Sequence, residues 1–581
     1  MNTYVLGIAC YFHDSSVCLI KNGEIISAVQ EERFTGIKND SSFPQRSIEW
    51  CLSENNISAK DLKFIVFYEK PLKKFLRVIN SSIEQFPKSR KYFVSQMGRW
   101  LSEKMWTKTN ISKKLNVDLK KIIFCQHHLS HASSIYHNSN LSDATIMVSD
   151  GVGEDQSFSI WKGDKELITP LYEIKYPNSL GLFYSTMTSF LGHSVNNGEN
   201  KVMSMAAYGN DEYYDKILKI IKQDDQLLFK QDFKYFNYQH SLTDSYSDNL
   251  IKLLGQPRKN QDSFLTSDGG LVNSEAKRFA NIAFSTQKIT EEIIKKKCEL
   301  SFNLNPSKNL CISGGVHLNC VANYKVFRDS KFENIFSNNC SSDSGGSVGA
   351  ALWAWKTQIS KNKIYASGNS FTGPSYTSKI IEETLKNFKY NFKKYEDFDE
   401  IVQDATQDLE AGKIVAWFQG RLEFGKRSLG NRSIIARPDK KDIAEKINLE
   451  VKMRELYQPF AASILSESVD TFFHKIDKFD FSYRYMNVIA EARIEKIKYL
   501  KGVLHIDNSS RIHSVYEQDN ELFFKLIKSF EKKTGIPILL NTSFNLRGEP
   551  IVDNPTKALS TFFRSRCDVM YIDKFKITND L

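Results

Sequence analysis

Tyr4-Val-Leu-Gly-Ile-Ala-Cys-Tyr-Phe-His-Asp-Ser-Ser-Val-Cys-Leu-Ile20 is the stretch that decides the fold class. An apolar run, a short polar loop and a second apolar run read as two buried strands. Lys21-Asn22-Gly23 then turns the chain into a third strand, Glu24–Gln30. The same design returns at Ala144–Ser149. There an Asp150-Gly151-Val-Gly153 loop leads into Ser157–Trp161, with a turn at Lys162-Gly163-Asp164. Two such units, separated by helical stretches at Gln45–Glu54 and Lys73–Lys104, predict a duplicated α/β core.

Outward from these units, residues 210–275 are polar without a sustained period and read as an insertion or lid. A helical pattern over Glu275–Leu300, strands at Asn309–Ser313 and Ile335–Cys340, and a helix at Ala350–Thr357 complete the first domain. Residues 358–376 are rich in Ser, Gly and Lys and read as a linker. The predicted organisation is 1–357, the linker 358–376, and a second α/β domain over 377–581 with strands at Ile414–Phe418, Ile536–Leu540 and Asp568–Ile572.

The 581 residues carry 79 Lys and Arg against 68 Asp and Glu, a formal charge of +11; 41% are hydrophobic and 25% charged, which excludes wholesale disorder. The start lacks the basic and apolar segments of a secretory signal, and no window reaches the ~18 apolar residues of a membrane helix. Nine scattered cysteines form no C-x-x-C pair. These features predict a soluble cytoplasmic chain with free thiols and no membrane partner. The lysines are dispersed, which favours a solvated surface first and phosphate-bearing small substrates second.

Four constellations carry chemistry. His127 and His131, in His127-His128-Leu-Ser-His131, stand four apart on a predicted helix, a spacing at which two imidazoles grip one metal. The bland alternative is a helix start with surface histidines. Asp150 and Asp343 fall near strand ends, where open α/β sheets bind ligands; with the imidazoles they suit iron, zinc or manganese. Gly151, Gly345 and Gly346 beside these aspartates, with Gly314, Gly315 and Asn319 in Ser313-Gly-Gly-Val-His-Leu-Asn319, let backbone approach phosphate and point to a nucleotide site. Lys201 in Gly198-Glu-Asn-Lys-Val-Met203 is a further phosphate candidate, with an exposed ion pair as its competing reading. Finally, Gln419-Gly-Arg421-Leu-Glu423-Phe-Gly-Lys426-Arg427-Ser-Leu-Gly-Asn-Arg432 interleaves cations with glycine and apolar residues. Lys452, Arg454, Arg511 and the turn Asn541-Thr-Ser543-Phe-Asn545 add donors, a pattern that suits a multidentate anion pocket.

These motifs, together with Tyr11-Phe-His-Asp-Ser15, Gln30-Glu-Glu-Arg-Phe34 and Gly548-Glu-Pro550, resemble the NodU/CmcH-type O-carbamoyltransferases over nearly the whole chain. The resemblance implies a TsaD-like domain of the actin/sugar-kinase ATPase superfamily followed by a YrdC-like domain. It implies that carbamoyl phosphate is cleaved in the second domain and that carbamate passes through an internal channel. Reaction with ATP then gives carbamoyl adenylate, and the carbamoyl group goes to an acceptor hydroxyl on a sugar, a natural product or a hydroxymethylated nucleobase. It also implies iron, with manganese second, on positions matching His127, His131, Asp150 and Asp343, and Mg2+ accompanying ATP. Carbamoyl phosphate falls to positions matching Arg427, Lys452, Arg511 and Ser543, with Asn545 close by and Arg421 and Asn541 on the same segments. His13, beside Asp14, lies where the family places a residue near the acceptor hydroxyl. A tRNA threonylcarbamoyladenosine-type transferase is the alternative on the same domains, and a binding protein that has lost catalysis is a third reading. A nucleic-acid acceptor is permitted by the basic stretch Lys73–Lys104 but not favoured, and a homodimer is the default assembly. One departure stands out: Met203-Ser-Met-Ala-Ala-Tyr-Gly209 replaces the family's Met-Gly-Leu-Ala-Pro-Tyr-Gly.

Overall fold

The computed structural model describes residues 2–224, 227–267, 269–359 and 369–579. The chain divides into two compact units. Met1–Phe12, Ser16–Ile26 and Ile48–Ser367 form the first; His13–Ser15, Ser27–Ser47 and Gly368–Leu581 form the second. Most of the predicted linker, residues 360–368, lies outside the described residues.

β1 (Tyr4–Ala9), β2 (Ser16–Lys21), β3 (Glu24–Gln30), β4 (Leu62–Phe67) and β5 (Ile122–Phe124) form a sheet of order β3-β2-β1-β4-β5. The pair β1/β2 is antiparallel, and β1/β4 and β4/β5 are parallel. A second sheet uses β6 (Asp143–Ser149), β7 (Gln156–Asp164) and β8 (Leu167–Lys175). After the hairpin β9 (Ile221–Asp224) and β10 (Leu228–Gln231), it is completed by β11 (Asn309–Ser313) and β12 (Asn334–Phe336). Its order, β12-β11-β6-β7-β8, repeats the first: a leading strand flanked by its antiparallel hairpin on one side and by two parallel strands on the other. Strands buried on both faces explain the continuous apolar runs at β1, β2 and β6.

Several elements differ from the sequence reading. Lys162-Gly163-Asp164 is the end of β7 rather than a turn, and β8, largely exposed, follows it. The predicted strand Ile335–Cys340 is only Asn334–Phe336, and the helix begins at Gly345 instead of Ala350 because packing overrides the low helix propensity of glycine. Lys73–Lys104 forms two helices, Pro71–Glu84 and Arg90–Ser102. Within 210–275, the helices Tyr214–Leu218 and Asp248–Leu254 and the β9/β10 hairpin bury Ile217, Ile221, Phe229, Leu250 and Leu254, so this polar stretch contributes to the core, in part against helix Ser274–Leu304.

The second unit is a mixed nine-stranded sheet. Its strands are β13 (Lys393–Lys394), β14 (Val415–Phe418), β15 (Arg432–Ala436), β16 (Ala461–Leu465), β17 (Ile489–Glu491), β18 (Ser509–Val515), β19 (Ile538–Ser543), β20 (Val569–Ile572) and β21 (Phe575–Thr578). They lie in the order β13-β21-β20-β14-β15-β19-β16-β18-β17. Helices Phe398–Glu410 and Glu521–Thr534 pack together beside the sheet; the latter is capped by Asn520 and stopped by left-handed Gly535. The fold is mixed α/β throughout. All nine cysteines are free and buried, and no helix among the described residues is long and apolar enough to cross a membrane.

Candidate metal centre and anion pocket

The first site gathers at loops of the first unit. β6 ends at Ser149; the Asp150 N–H donates to the Ser157 carbonyl, and Asp150 Oδ1 accepts from the Gly315 N–H at 3.1 Å. That approach of backbones requires glycine at position 314, where φ is +97° and a Cβ would stand 2.3 Å from the Ser149 carbonyl oxygen. Helix His127–Tyr136 presents His127 and His131 one turn apart, with ring centroids 4.9 Å apart. Asp343 precedes helix Gly345–Ala354. A Cβ on Gly349 of that helix would lie 1.7 Å from the Ser130 carbonyl oxygen, so only glycine lets it come this close to the helix that carries His127 and His131.

His127 Nε2 lies 3.2 Å from Asp150 Oδ2 and 4.0 Å from Asp343 Oδ1, and His131 Nε2 lies 3.5 Å from Asp343 Oδ1. All four side chains are buried, and one ligand atom from each falls within 4.8 Å of the others. Burial lowers the His127 pKa, but the Asp150 hydrogen bond and the Asp343 charge outweigh it and raise the pKa overall. For Asp150, burial is outweighed by the histidines, and its carboxyl stays well below the usual range. His128, at 2.7 Å from Ser159 Oγ, is held neutral by burial. Glu154 accepts from the N–H groups of Lys70 (2.5 Å) and His127 (3.2 Å), and burial pushes it up to about 7.

The donors fit a divalent ion. Two imidazoles and two carboxylates converge, and His131 Nε2 is buried without a hydrogen-bond partner among the described residues. The other ring nitrogen stands 3.4 Å from Ser313 Oγ, an outer partner that orients the ring. Of the residues read as nucleotide contacts, Gly151, Gly314, Gly315, Gly345 and Gly346 sit on the loops that carry Asp150 and Asp343. Lys201 lies in the first turn of helix Glu199–Ala206, while Asn319 caps helix Cys320–Phe327 and bonds Gln287.

Lys297 escaped the sequence reading. It stands in a Lys295-Lys-Lys297 run that looks solvated, yet it shares the spacing of buried Ile289, Ile293 and Ser301 along helix Ser274–Leu304. Its Nζ donates to Ser149 Oγ at 3.0 Å, between the rings of Phe158 (4.3 Å) and Phe229 (5.3 Å). Burial pulls its pKa from 10.5 to about 7. The unfolded chain therefore binds more protons between these values, and stability rises with pH through that window by up to about 1.4 kcal/mol per unit. Lys297→Met should be more stable at neutral pH and lose this rise. Urea unfolding at pH 7 and 9 checks it; an unchanged slope would refute the assignment.

The second site lies in the second unit, where sheet register does the gathering. Arg511 on β18 pairs with Ala461 on β16, which pairs with Asn541 on β19, so Arg511, Asn541 and, two residues on, Ser543 share one face. Lys452 Nζ donates to the Ser543 carbonyl (2.7 Å), the Asn545 carbonyl (2.9 Å) and Asn545 Oδ1 (2.7 Å). Asn541 Nδ2 donates to Ser463 Oγ at 2.9 Å. Burial, then the Arg454 charge, holds Lys452 well below the ordinary lysine range, and burial with the Arg511 charge brings Arg454 down to about 9. Cations crowded together in this way suit an anion. Arg427 lies on a loop organised by Glu423 Oε1, which accepts from the N–H groups of Leu429, Asn431 and Arg432 at 2.9, 2.9 and 3.0 Å. Arg421 donates to the carbonyls of Gly373 (3.0 Å) and Thr372 (2.8 Å), and Arg432 is buried against the Phe418 ring at 3.6 Å, so both serve the loop's architecture.

His13 and Asp14 also belong to the second unit. Lys426, quoted in the basic motif but given no role there, donates to Asp14 Oδ1 at 2.5 Å and Asn39 Oδ1 at 3.0 Å, while Asp14 Oδ2 lies 3.2 Å from His13 Nδ1. Burial of Asp14 is outweighed by the Lys426 charge and the His13 bond, and the carboxyl stays ionised. His13 Nδ1 thus faces an ionised carboxylate.

A chain with these two sites on two α/β units has the form of a group-transfer enzyme. The chain matches the carbamoyltransferase N-terminus family model over residues 4–352 and the carbamoyltransferase C-terminus model over 406–579, and it belongs to the carbamoyltransferase family. It is 37% identical to the uncharacterised protein sll1178 of Synechocystis sp., with 99% of this chain and 96% of the relative covered. It is 30% identical to the nodulation protein NolNO of Sinorhizobium fredii, covering 98% and 79%. Identity to the 3'-hydroxymethylcephem-O-carbamoyltransferase of Amycolatopsis lactamdurans is 26%, covering 72% and 75%.

Proposed function

We propose that this carbamoyltransferase uses carbamoyl phosphate and ATP to carbamoylate an acceptor hydroxyl, with a TsaD-like first part and a YrdC-like second part. Hydrolysis of carbamoyl phosphate releases phosphate and carbamate. A carbamate oxygen attacks the α-phosphorus of ATP, expelling pyrophosphate and forming carbamoyl adenylate. The acceptor hydroxyl then attacks the carbonyl carbon, expelling AMP. The observation that carries this reading is the cation cluster of buried Lys452, which contacts Ser543, with half-buried Arg454 and Arg511, suited to a small phosphorylated anion, on a chain that also has the His127, His131, Asp150 and Asp343 donor set.

Arg427, Lys452, Arg511 and Ser543 bind the phosphate, and Asn541 and Asn545 hold the β19 turn in place. The glycine loops around Asp150 and Asp343 take the nucleotide. A bound divalent ion, iron first and manganese second, supplies counter-charge for phosphate oxygens. His13, oriented by ionised Asp14, accepts the acceptor's proton. His13→Ala should still form carbamoyl adenylate but lose transfer by at least about a hundredfold; normal transfer would remove His13 from the mechanism. The co-substrate separates this function from the tRNA-type alternative. AMP release that requires carbamoyl phosphate supports it, and AMP release that requires threonine and bicarbonate overturns it.

A further inference from the structure

The helix Pro71–Glu84 is inside out. Leu72, Leu76, Ile79 and Ile83 recur at the 4-3-4 spacing of one helix face, yet Leu72, Leu76 (52% exposed) and Ile83 (69%) face solvent. The buried face holds Pro71 and Val78 but is otherwise polar: Lys74 pairs with Glu69 at 2.8 Å, Ser81 Oγ donates to the Gln239 carbonyl, and Arg77 reaches the Gly153 carbonyl at 3.3 Å beside the loop that carries Asp150. Helix Arg90–Ser102, joined to it by the Phe75–Trp100 ring contact at 5.5 Å, buries Trp100 and Gln96 but likewise leaves Val94 (66%) and Leu101 (60%) exposed. Phe86 in the connecting turn is exposed as well. The hairpin's polar side is committed to the first unit, so its apolar side is left facing out.

The charge decides what covers it. Residues 71–106 hold eight Lys or Arg and two Glu, a net +6 of the chain's +11. A second copy would set +6 against +6. Nucleic acid would neutralise the cations but leave Leu76, Ile83, Val94 and Leu101 in water. An anionic bilayer surface satisfies both, with aliphatic side chains among the upper acyl groups and cations against headgroups. We propose that the hairpin 71–106 is an interfacial membrane-docking element that lies in the plane of an anionic lipid surface. This departs from the expectation of no membrane partner, which rested on the lack of a spanning segment.

The test is co-sedimentation of the full chain with phosphatidylcholine vesicles, with and without phosphatidylglycerol. Binding should require the anionic lipid and weaken with salt. It should fall at least about tenfold in Leu76→Ser/Ile83→Ser/Leu101→Ser and, separately, in Lys88→Glu/Lys91→Glu. The serine variant changes only exposed positions, and unchanged metal content and thermal midpoint would show that its fold is intact. No binding to the anionic vesicles, equal binding to both vesicle types, or binding indifferent to either variant would overturn the proposal. So would a solution dimer that the serine variant dissociates, or single-stranded RNA binding that vesicles do not compete.

Discussion

Asp343→Ala should retain less than about a tenth of the wild-type metal and lose carbamoyl transfer by at least about a thousandfold. Its Oδ1 is the carboxylate oxygen that approaches both His127 and His131, at 4.0 and 3.5 Å, whereas Asp150 is partly engaged by Gly315. Without it, two buried imidazoles face a single carboxylate and the charge that balances a dication is halved. Metal analysis after reconstitution with ferrous iron reads the first effect and transfer assays the second. Protection of the variant against heat by carbamoyl phosphate should persist, since the pocket proposed for that anion lies in the second unit. A variant with full metal content would show that the four residues are not a metal site.

Arg511→Ala should have the opposite profile: normal metal content, with KM for carbamoyl phosphate raised about a hundredfold, the loss expected when charge-assisted hydrogen bonds to an oxyanion are removed. The ligand-free variant should also be slightly more stable than wild type, because Arg511 presses on Arg454 and lowers its pKa. Lost affinity with gained stability is the mark of a binding group, and a structural arginine would give the reverse. Steady-state kinetics and urea unfolding of the apo-protein decide. An unchanged KM removes Arg511 from the anion pocket.

Much of this was legible in the residues because it is local. The three strands over Tyr4–Gln30 follow from apolar runs and a Gly turn, and His127 with His131 follows from the four-residue helical repeat. What the sequence hid depends on neighbours distant in the chain. The inward direction of Lys297 is set by Ser149 and two phenylalanines, its partner 148 residues away. The role of Lys426 comes from Asp14, 412 residues earlier. For Arg421, read from its motif as a phosphate ligand, the structure adds the backbone carbonyls at 372–373 as partners, which no local pattern announces. In the helix Pro71–Glu84 the apolar period was present, and only the structure shows which face is buried.

The central claim is that one chain makes carbamoyl adenylate from carbamoyl phosphate and ATP. The most direct measurement is mass spectrometry of the products after incubating the iron-loaded protein with both co-substrates and no acceptor. A carbamoyl adenylate mass, with AMP and pyrophosphate appearing only when carbamoyl phosphate is supplied, is the predicted result. Neither adenylate nor AMP, with metal and nucleotide shown to be bound and an acceptor mixture giving no turnover, would contradict it.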